Sequence, residues 1–239
     1  MNEQAILASL TSINAYRKAV TGTPGNTTTT AAVASGDSTV AVTALTNFTD
    51  GDPVFQYGSG GMELLEIDGT PDLDMPVARP VMIAQEAGAK FVEAVKYTLG
   101  HIAEGSASFG PTSSNTPIPA ATSGAPIGYF FVPGALAGKF GLLNFNPRSL
   151  SLAFAQAEVT TGTGTAADPT QMLVNGQTIG TQGLLCFRGN GLLKDGTFVE
   201  VDFLDCTVSG TVDVNISGKA AAPIPVAFNC TGYIIRTWQ

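Results

Sequence analysis

From Leu204 to Ile216 the chain alternates without a break. Every even position is apolar or glycine (Leu204, Cys206, Val208, Gly210, Val212, Val214, Ile216), and every odd position is polar (Asp205, Thr207, Ser209, Thr211, Asp213, Asn215). A period of two is the mark of a strand with one dry and one wet face. Strands average roughly 5 to 6 residues, so a run this long implies a use for both surfaces. A second alternating run follows in Ile224, Val226, Phe228, Cys230 and Ile234. Folded about Gly218, the two runs oppose apolar to apolar: Ile216 with Ala220, Val214 with Ala222, Val212 with Ile224, Gly210 with Val226, Val208 with Phe228 and Cys206 with Cys230. One register that satisfies every pair is what a hairpin with a single buried face requires. Pro223 and Pro225 cannot donate to a ladder, which places an edge or a bulge near the turn. The same register makes Cys206 and Cys230 cross-strand neighbours, expected as adjacent buried thiols, with a disulfide between them left open.

Composition extends this reading to the whole chain. The 28 Gly and 14 Pro, with many Thr, favour turns and strands over helices. A length of 239 residues suits one large β domain with a real core. Charged residues are only 13%, against about 25% in an average soluble protein. Such a surface is covered by Thr, Ser, Asn and Gly, or by other subunits. A net charge of −8 excludes a protein that grips phosphate backbones through clustered Lys and Arg. It is compatible with a wall that DNA slides past without adhering. The start MNEQAILASL carries no secretory pattern, and no window reaches the roughly 18 apolar residues of a membrane span.

Along the chain, Ile6, Leu7, Leu10, Ile13 and Val20 approximate a helical stripe with Asn2 as cap. The Thr-rich TGTPGNTTTT at 21–30 is a linker, so residues 1–30 form a helix plus linker and 31–239 a single β-rich domain. Val40, Val42 and Leu45, then Val54, Phe55 and Tyr57, give two strands around Asp50-Gly51. The prolines between Met62 and Ile83 mark strand edges and loops. Over 85–104 Phe91, Val95, Leu99 and Ile102 fit helical spacing while Val95, Tyr97 and Leu99 also alternate, which leaves helix and strand both open with a second helix preferred. Residues 105–128 form a long irregular loop, of the kind that is functional or ordered by a partner. Gly189-Asn190-Gly191 is expected to be a tight turn.

Chemistry-bearing residues do not converge. The lone His101 has no nearby nucleophile turn, and Gly-x-Ser-x-Gly is absent. Asp68, Asp72 and Asp74 lack the spacing and closing Glu of a calcium loop. Cys186, Cys206 and Cys230 are too widely spaced for a zinc site. Glu200 and Asp202 share one strand face, while Asp205 lies on the other, which argues against an acid–base couple. No catalytic, cofactor-binding or metal-binding residue is expected.

The segment DGTFVEVDFLDCTVSGTVDVNISGKAAAPIPVAFNCTGYI resembles the closing strands of the tail-tube (major tail) proteins of long-tailed bacteriophages. There an alternating hairpin ends in a segment like Ile224-Pro225-Val226-Ala227-Phe228. GDSTVAVTALTNFTDGDPVFQY is similar to short β units of phage structural proteins. The resemblance covers a third to a half of the chain and implies a mostly β fold: a β-sandwich or barrel-like core with one or two flanking α-helices. It implies assembly of the chain with itself into stacked, hexameric rings around a DNA channel in the virion tail, built in the host cytoplasm without membrane insertion. Partners would be other tail proteins, a sheath among the candidates, with DNA only as passing cargo and no cofactor. Asp205, Thr207, Thr211 and Asp213 would line the lumen; Ile6, Leu10, Ile13, Phe109 and Ile118 would contact neighbouring subunits. A capsid-decoration or other virion protein, and a cell-surface adhesion or carbohydrate-binding β-sandwich, remain as alternatives.

Overall fold

The computed structural model describes residues 10–19, 22–111, 114–119, 126–132, 136–143, 157–160, 165, 167, 171–174, 184–208, 216–217, 220–221 and 223–239. It is mostly β, with 60% in strands and no helix among the described residues. In chain order the strands are β1 (Leu10–Lys18), β2 (Asn26–Thr28), β3 (Thr39–Ala41), β4 (Pro53–Gly58), β5 (Gly61–Glu66), β6 (Asp74–Pro76), β7 (Lys90–His101), β8 (Ser108–Pro111), β9 (Ser114–Pro119) and β10 (Pro126–Val132). They continue as β11 (Leu136–Leu142), β12 (Ala157–Thr160), β13 (Gln171–Val174), β14 (Leu185–Leu192), β15 (Phe198–Leu204), β16 (Thr207–Val208), β17 (Ile216–Ser217), β18 (Ala220–Ala221), β19 (Ile224–Cys230) and β20 (Gly232–Trp238).

Seven strands in the order β20-β15-β14-β1-β7-β4-β5, with β2 paired to β7, make an eight-stranded sheet. This sheet curls into a half-barrel, bringing β5 back against β15. A four-stranded sheet, β16-β19-β11-β8, packs on its convex side. Between them lies the largest core, in which Phe140, Phe187, Phe203 and Phe228 meet ring to ring at centroid distances of 5.1 to 5.7 Å. Inside the curl a second core gathers Tyr16, Phe55, Leu64, Val92, Cys186, Leu204 and Ile234. A third forms where the β3–β6 pair covers β4, β5 and β7.

The described part of the first expected helix is strand β1 and most of the second is strand β7, and bulges are the reason; residues 1–9 and 20 lie outside the described residues. In β1 the register shifts between Leu10 and Ser12, so Leu10 and Ile13, three residues apart, enter the same core. An extra residue in a strand shifts its side-chain phase and imitates helical spacing. In β7, Ile13 pairs with Gly100 and Asn14 with Thr98, which leaves Leu99 as the extra residue. Phe91, Val92 and Leu99 then serve three different cores, and no simple period survives. The expected loop at 105–128 contains β8, β9 and part of β10. Gly189-Asn190-Gly191 is not a turn but the middle of β14, paired to both β1 and β15. Asp50-Gly51 does turn the chain (Gly51 φ 83°), yet β3 pairs with β6 while β4 pairs with β5 and β7.

The long ribbon is half as expected. Thr207 pairs with Asn229 and Val208 with Phe228, in the register read from the sequence. At the turn Ile216 pairs with Ala221 rather than Ala220, one residue away from it. The run is also not one strand at its start: Asp205 takes a left-handed conformation (φ 47°) and carries the chain from the large sheet to the small one. Leu204 consequently packs inside the curl and Cys206 in the sandwich core, although both occupy even positions. The three cysteines are free thiols.

Across the β11–β19 ladder Gly138 faces Phe228. A methyl group on Gly138 would lie 2.3 Å from the Phe228 ring, so the aromatic ring occupies the space a side chain would take. Gly138→Ala is therefore expected to lower stability by about 1–3 kcal/mol through overpacking, measured by urea unfolding; an unchanged midpoint would contradict this packing.

Candidate functional site

Among the described residues the densest charged chemistry lies at the mouth of the curled sheet. Arg188 on β14 stands opposite Asp202 on β15, and Glu200 on β15 stands opposite Arg236 on β20. All four point to the concave side because alternate residues of a strand share a face. Arg188 grips Asp202 with two bonds, Nε to Oδ1 at 2.6 Å and Nη2 to Oδ2 at 2.9 Å. Arg236 donates to Asp202, to Glu200 at 3.5 Å and to Glu63 of β5 at 3.3 Å. Arg79, on the segment that follows β6, donates to Glu200.

Three guanidinium groups thus meet three buried carboxylates, with the exposed Glu66 a fourth, 4.0 Å from Arg188. Asp202 and Glu63 are fully buried, and Glu200 nearly so. Buried charges persist only when paired and hydrogen-bonded. Glu63 meets that condition by accepting from the backbone N–H of Met82 at 2.9 Å and of Ile83 at 2.8 Å. Burial still dominates its titration and raises its pKa above the ordinary carboxylate value, against the lowering effect of those N–H groups and of Arg236. Burial alone would disfavour the Arg188 cation, but the bonds and charge of Asp202, with Glu200, outweigh it and hold Arg188 firmly protonated. Tyr16, whose ring lies under the Arg188 guanidinium at 5.5 Å, is pushed up to about 12, chiefly by burial.

The next row outward is apolar. Leu192 pairs with Phe198 and Phe198 with Trp238. The Phe198 and Trp238 rings stack at 5.9 Å and 14°, and the Arg79 guanidinium lies over the Trp238 ring at 5.2 Å. Directly across from Glu63, Gln56 is buried with neither side-chain amide atom hydrogen-bonded among the described residues.

Each arginine of the cluster faces at least one carboxylate, and the Cys186 thiol lies close by on the same strand face, buried and held well above its ordinary pKa chiefly by that burial. The arrangement ties β5, β14, β15 and β20 together through side chains. His101 is exposed at the end of β7. Asp72 accepts from the Leu73 N–H, Asp74 sits in β6, and no three His, Cys, Asp or Glu side chains among the described residues are grouped to hold a metal ion.

The sequence-derived candidates fall in separate places. Asp205 is exposed at the corner between the sheets, and Thr207 is exposed on the outer face of β16. Thr211, Asp213 and Ile6 lie outside the described residues. Leu10 and Ile13 are buried in this chain's own sandwich core, so they are not available to a neighbouring subunit. Phe109 is half-buried against the edges of Phe203 and Tyr233, and Ile118 pairs with Gly128 in the β9–β10 hairpin. Glu200 and Asp202 share a face, as the period-two argument requires. Sequence reasoning missed their partners. The signal was a charge set among apolar residues of a strand: Arg188 alone in LLCFRGNG, Arg236 alone in GYIIRTW, and Glu63, with Glu66, in GMELLEI.

A scan against protein-family models finds no match to the chain, and a search of curated proteins finds none.

Two outcomes follow from the network. Asp202→Ala deprives Arg188 of its two-bond partner and Arg236 of one of its three carboxylates and should cost about 3–5 kcal/mol, whereas the double variant Arg188→Met with Asp202→Leu should recover most of that loss. Chemical denaturation of both variants checks this, and equal losses would refute it. Because the folded state raises the pKa of Glu63 above its ordinary 4.5, its contribution to stability is full below that value and fades as pH rises through the folded value. Glu63→Gln, which imitates the protonated form, should therefore gain on the wild type as pH increases; a stability difference that stays constant with pH would contradict the assignment.

Proposed function

We propose that this chain is a structural subunit of a bacteriophage tail tube, which assembles with itself into stacked, hexameric rings that enclose a passage for DNA. The observation that carries this reading is the two-faced ribbon of β16 and β19. The segment on which the family resemblance rests, Ile224-Pro225-Val226-Ala227-Phe228, is an inner strand of the four-stranded sheet, with Ile224, Val226 and Phe228 buried and Pro225, Ala227 and Asn229 exposed. Its partner adds Val208 to the buried side and Thr207 to the exposed side. The outer face so formed is small, polar or neutral, with Lys139 of β11 as its charged member among the described residues. A wall of that kind offers a passing polyanion few counter-charges to hold it.

A second feature fits a subunit that needs neighbours. Leu192, Phe198 and Trp238 leave 52%, 49% and 42% of their surface exposed in one contiguous row. Contiguous exposed apolar surface of this sort marks contact sites more often than it occurs by chance. With Leu10 and Ile13 used in the chain's own core, subunit contacts in this reading draw on this row and on Phe109, and not on a bridging helix.

Electron microscopy of the purified, concentrated chain tests the proposal. Uniform rings or short tubes with a central bore are expected. Monomers that persist at every concentration and bind immobilised glycans would overturn it in favour of a carbohydrate-binding sandwich.

A further inference from the structure

We propose that the line between β5 and β20 is a seam built to open, giving access to the core inside the curl while the sandwich core stays closed. The inference is independent of tube assembly.

The argument starts from what crosses that line. Elsewhere in the large sheet neighbouring strands are joined by continuous backbone ladders. The sheet ends at β5 on one side and β20 on the other, and although the curl brings β5 close to β15, no ladder joins the two ends among the described residues. The closure is made by side chains. Arg236 reaches Glu63, Arg79 reaches Glu200 and lies over Trp238, and Arg188 donates to the Leu64 carbonyl at 3.5 Å and stands 4.0 Å from Glu66.

These contacts divide cleanly between two bodies. The segment carrying Arg79 belongs with β5: Ala78 donates to Glu66, Met82 and Ile83 to Glu63, and Gln85 bonds both Gly60 and Gly61. Arg188, Glu200, Asp202 and Arg236 belong with β14, β15 and β20 and are tied to one another by Asp202. Two of the crossing pairs include a member that reaches solvent, Arg79 at 36% and Glu66 at 51% side-chain exposure. Pairs that reach solvent are weakened by salt and by loss of one partner, whereas a backbone ladder is not.

The chain supplies its own reporters. Cys186 is wholly buried in the core that the seam closes, beside Leu64 and Met62 of β5. Cys206 is buried in the sandwich core on the other side of the sheet. Burial raises both thiols well above the ordinary value, so each reacts only when its own core opens. Local opening events are distinguishable from global unfolding when two buried sites respond differently.

The experiment measures alkylation of Cys186 and Cys206 by iodoacetamide in the full-length chain, with each labelled peptide quantified by mass spectrometry. Cys230, half-buried, is replaced by Cys230→Ser. Cys186 is expected to label faster than Cys206. Raising sodium chloride from roughly 0.05 to 1 M should accelerate Cys186 alone. Arg79→Ala should accelerate it about tenfold, the effect of losing one charge-assisted bond. If the two thiols label together under every condition, or if salt and Arg79→Ala leave their ratio unchanged, the seam does not open separately and the proposal fails. Should Arg79→Ala not fold, the salt series on the chain with native Arg79 decides alone.

Discussion

The closure of a curled sheet without a closing ladder is the constraint on which this architecture depends. The sheet ends at β5 and at β20, and among the described residues no backbone ladder joins these ends. Here Asp202 fixes Arg188 and Arg236, and the two arginines with Arg79 reach over to Glu63, Glu200 and the Leu64 carbonyl. Each arginine faces a carboxylate, so an inward face that carries this network still folds over an apolar core. Replacing such a network by apolar residues is often neutral, but removing one member of it is not. The ion network joins the two ends of the curled sheet, and the face opposite it packs against the second sheet.

That second sheet is where the proposed role resides. Its inner surface is aromatic, with Phe140 and Phe228 set against Phe187 and Phe203, and this fixes it rigidly to the half-barrel. Its outer surface is left to small and polar side chains. A rigid plate with an inert outer face is suited to lining a passage, and it needs no catalytic group to do so. The exposed row of Leu192, Phe198 and Trp238 lies on the opposite face of the large sheet, so in the proposed assembly lining and joining fall to different surfaces.

How much of this was legible in the sequence can be traced to individual residues. The β class followed from Gly, Pro and Thr content and from the period-two runs. The register of Val208 with Phe228 followed because only one face there is buried, which is the situation in which alternation specifies pairing. The same rule fails for β1 and β7. Both are interior strands that feed more than one core, and bulges at Leu10–Ser12 and at Leu99 shift the phase. The spacing of Leu10 to Ile13 then counterfeits a helix. Glycine misled in the opposite direction: Gly189 and Gly191 were read as a turn, yet Gly189 lies within a paired strand, where an added methyl group would come within 3.1 Å of Leu10. Asp205 broke the long alternating run by a single left-handed residue, a change that a polar residue in an alternating pattern does not announce. Of the charged cluster, Glu200 and Asp202 could be placed on one face, but their partners come from strands distant in sequence, and one sequence carries no sign of which charges meet.

The measurement that bears most directly on the proposed role is a cryo-electron microscopy map of the assembled particle at side-chain resolution. The account requires the outer face of the four-stranded sheet, marked by Thr207, Ala227 and Asn229, to be turned towards a central bore. A map in which that face is buried against a neighbouring subunit, or turned to the outside of the particle, would contradict it.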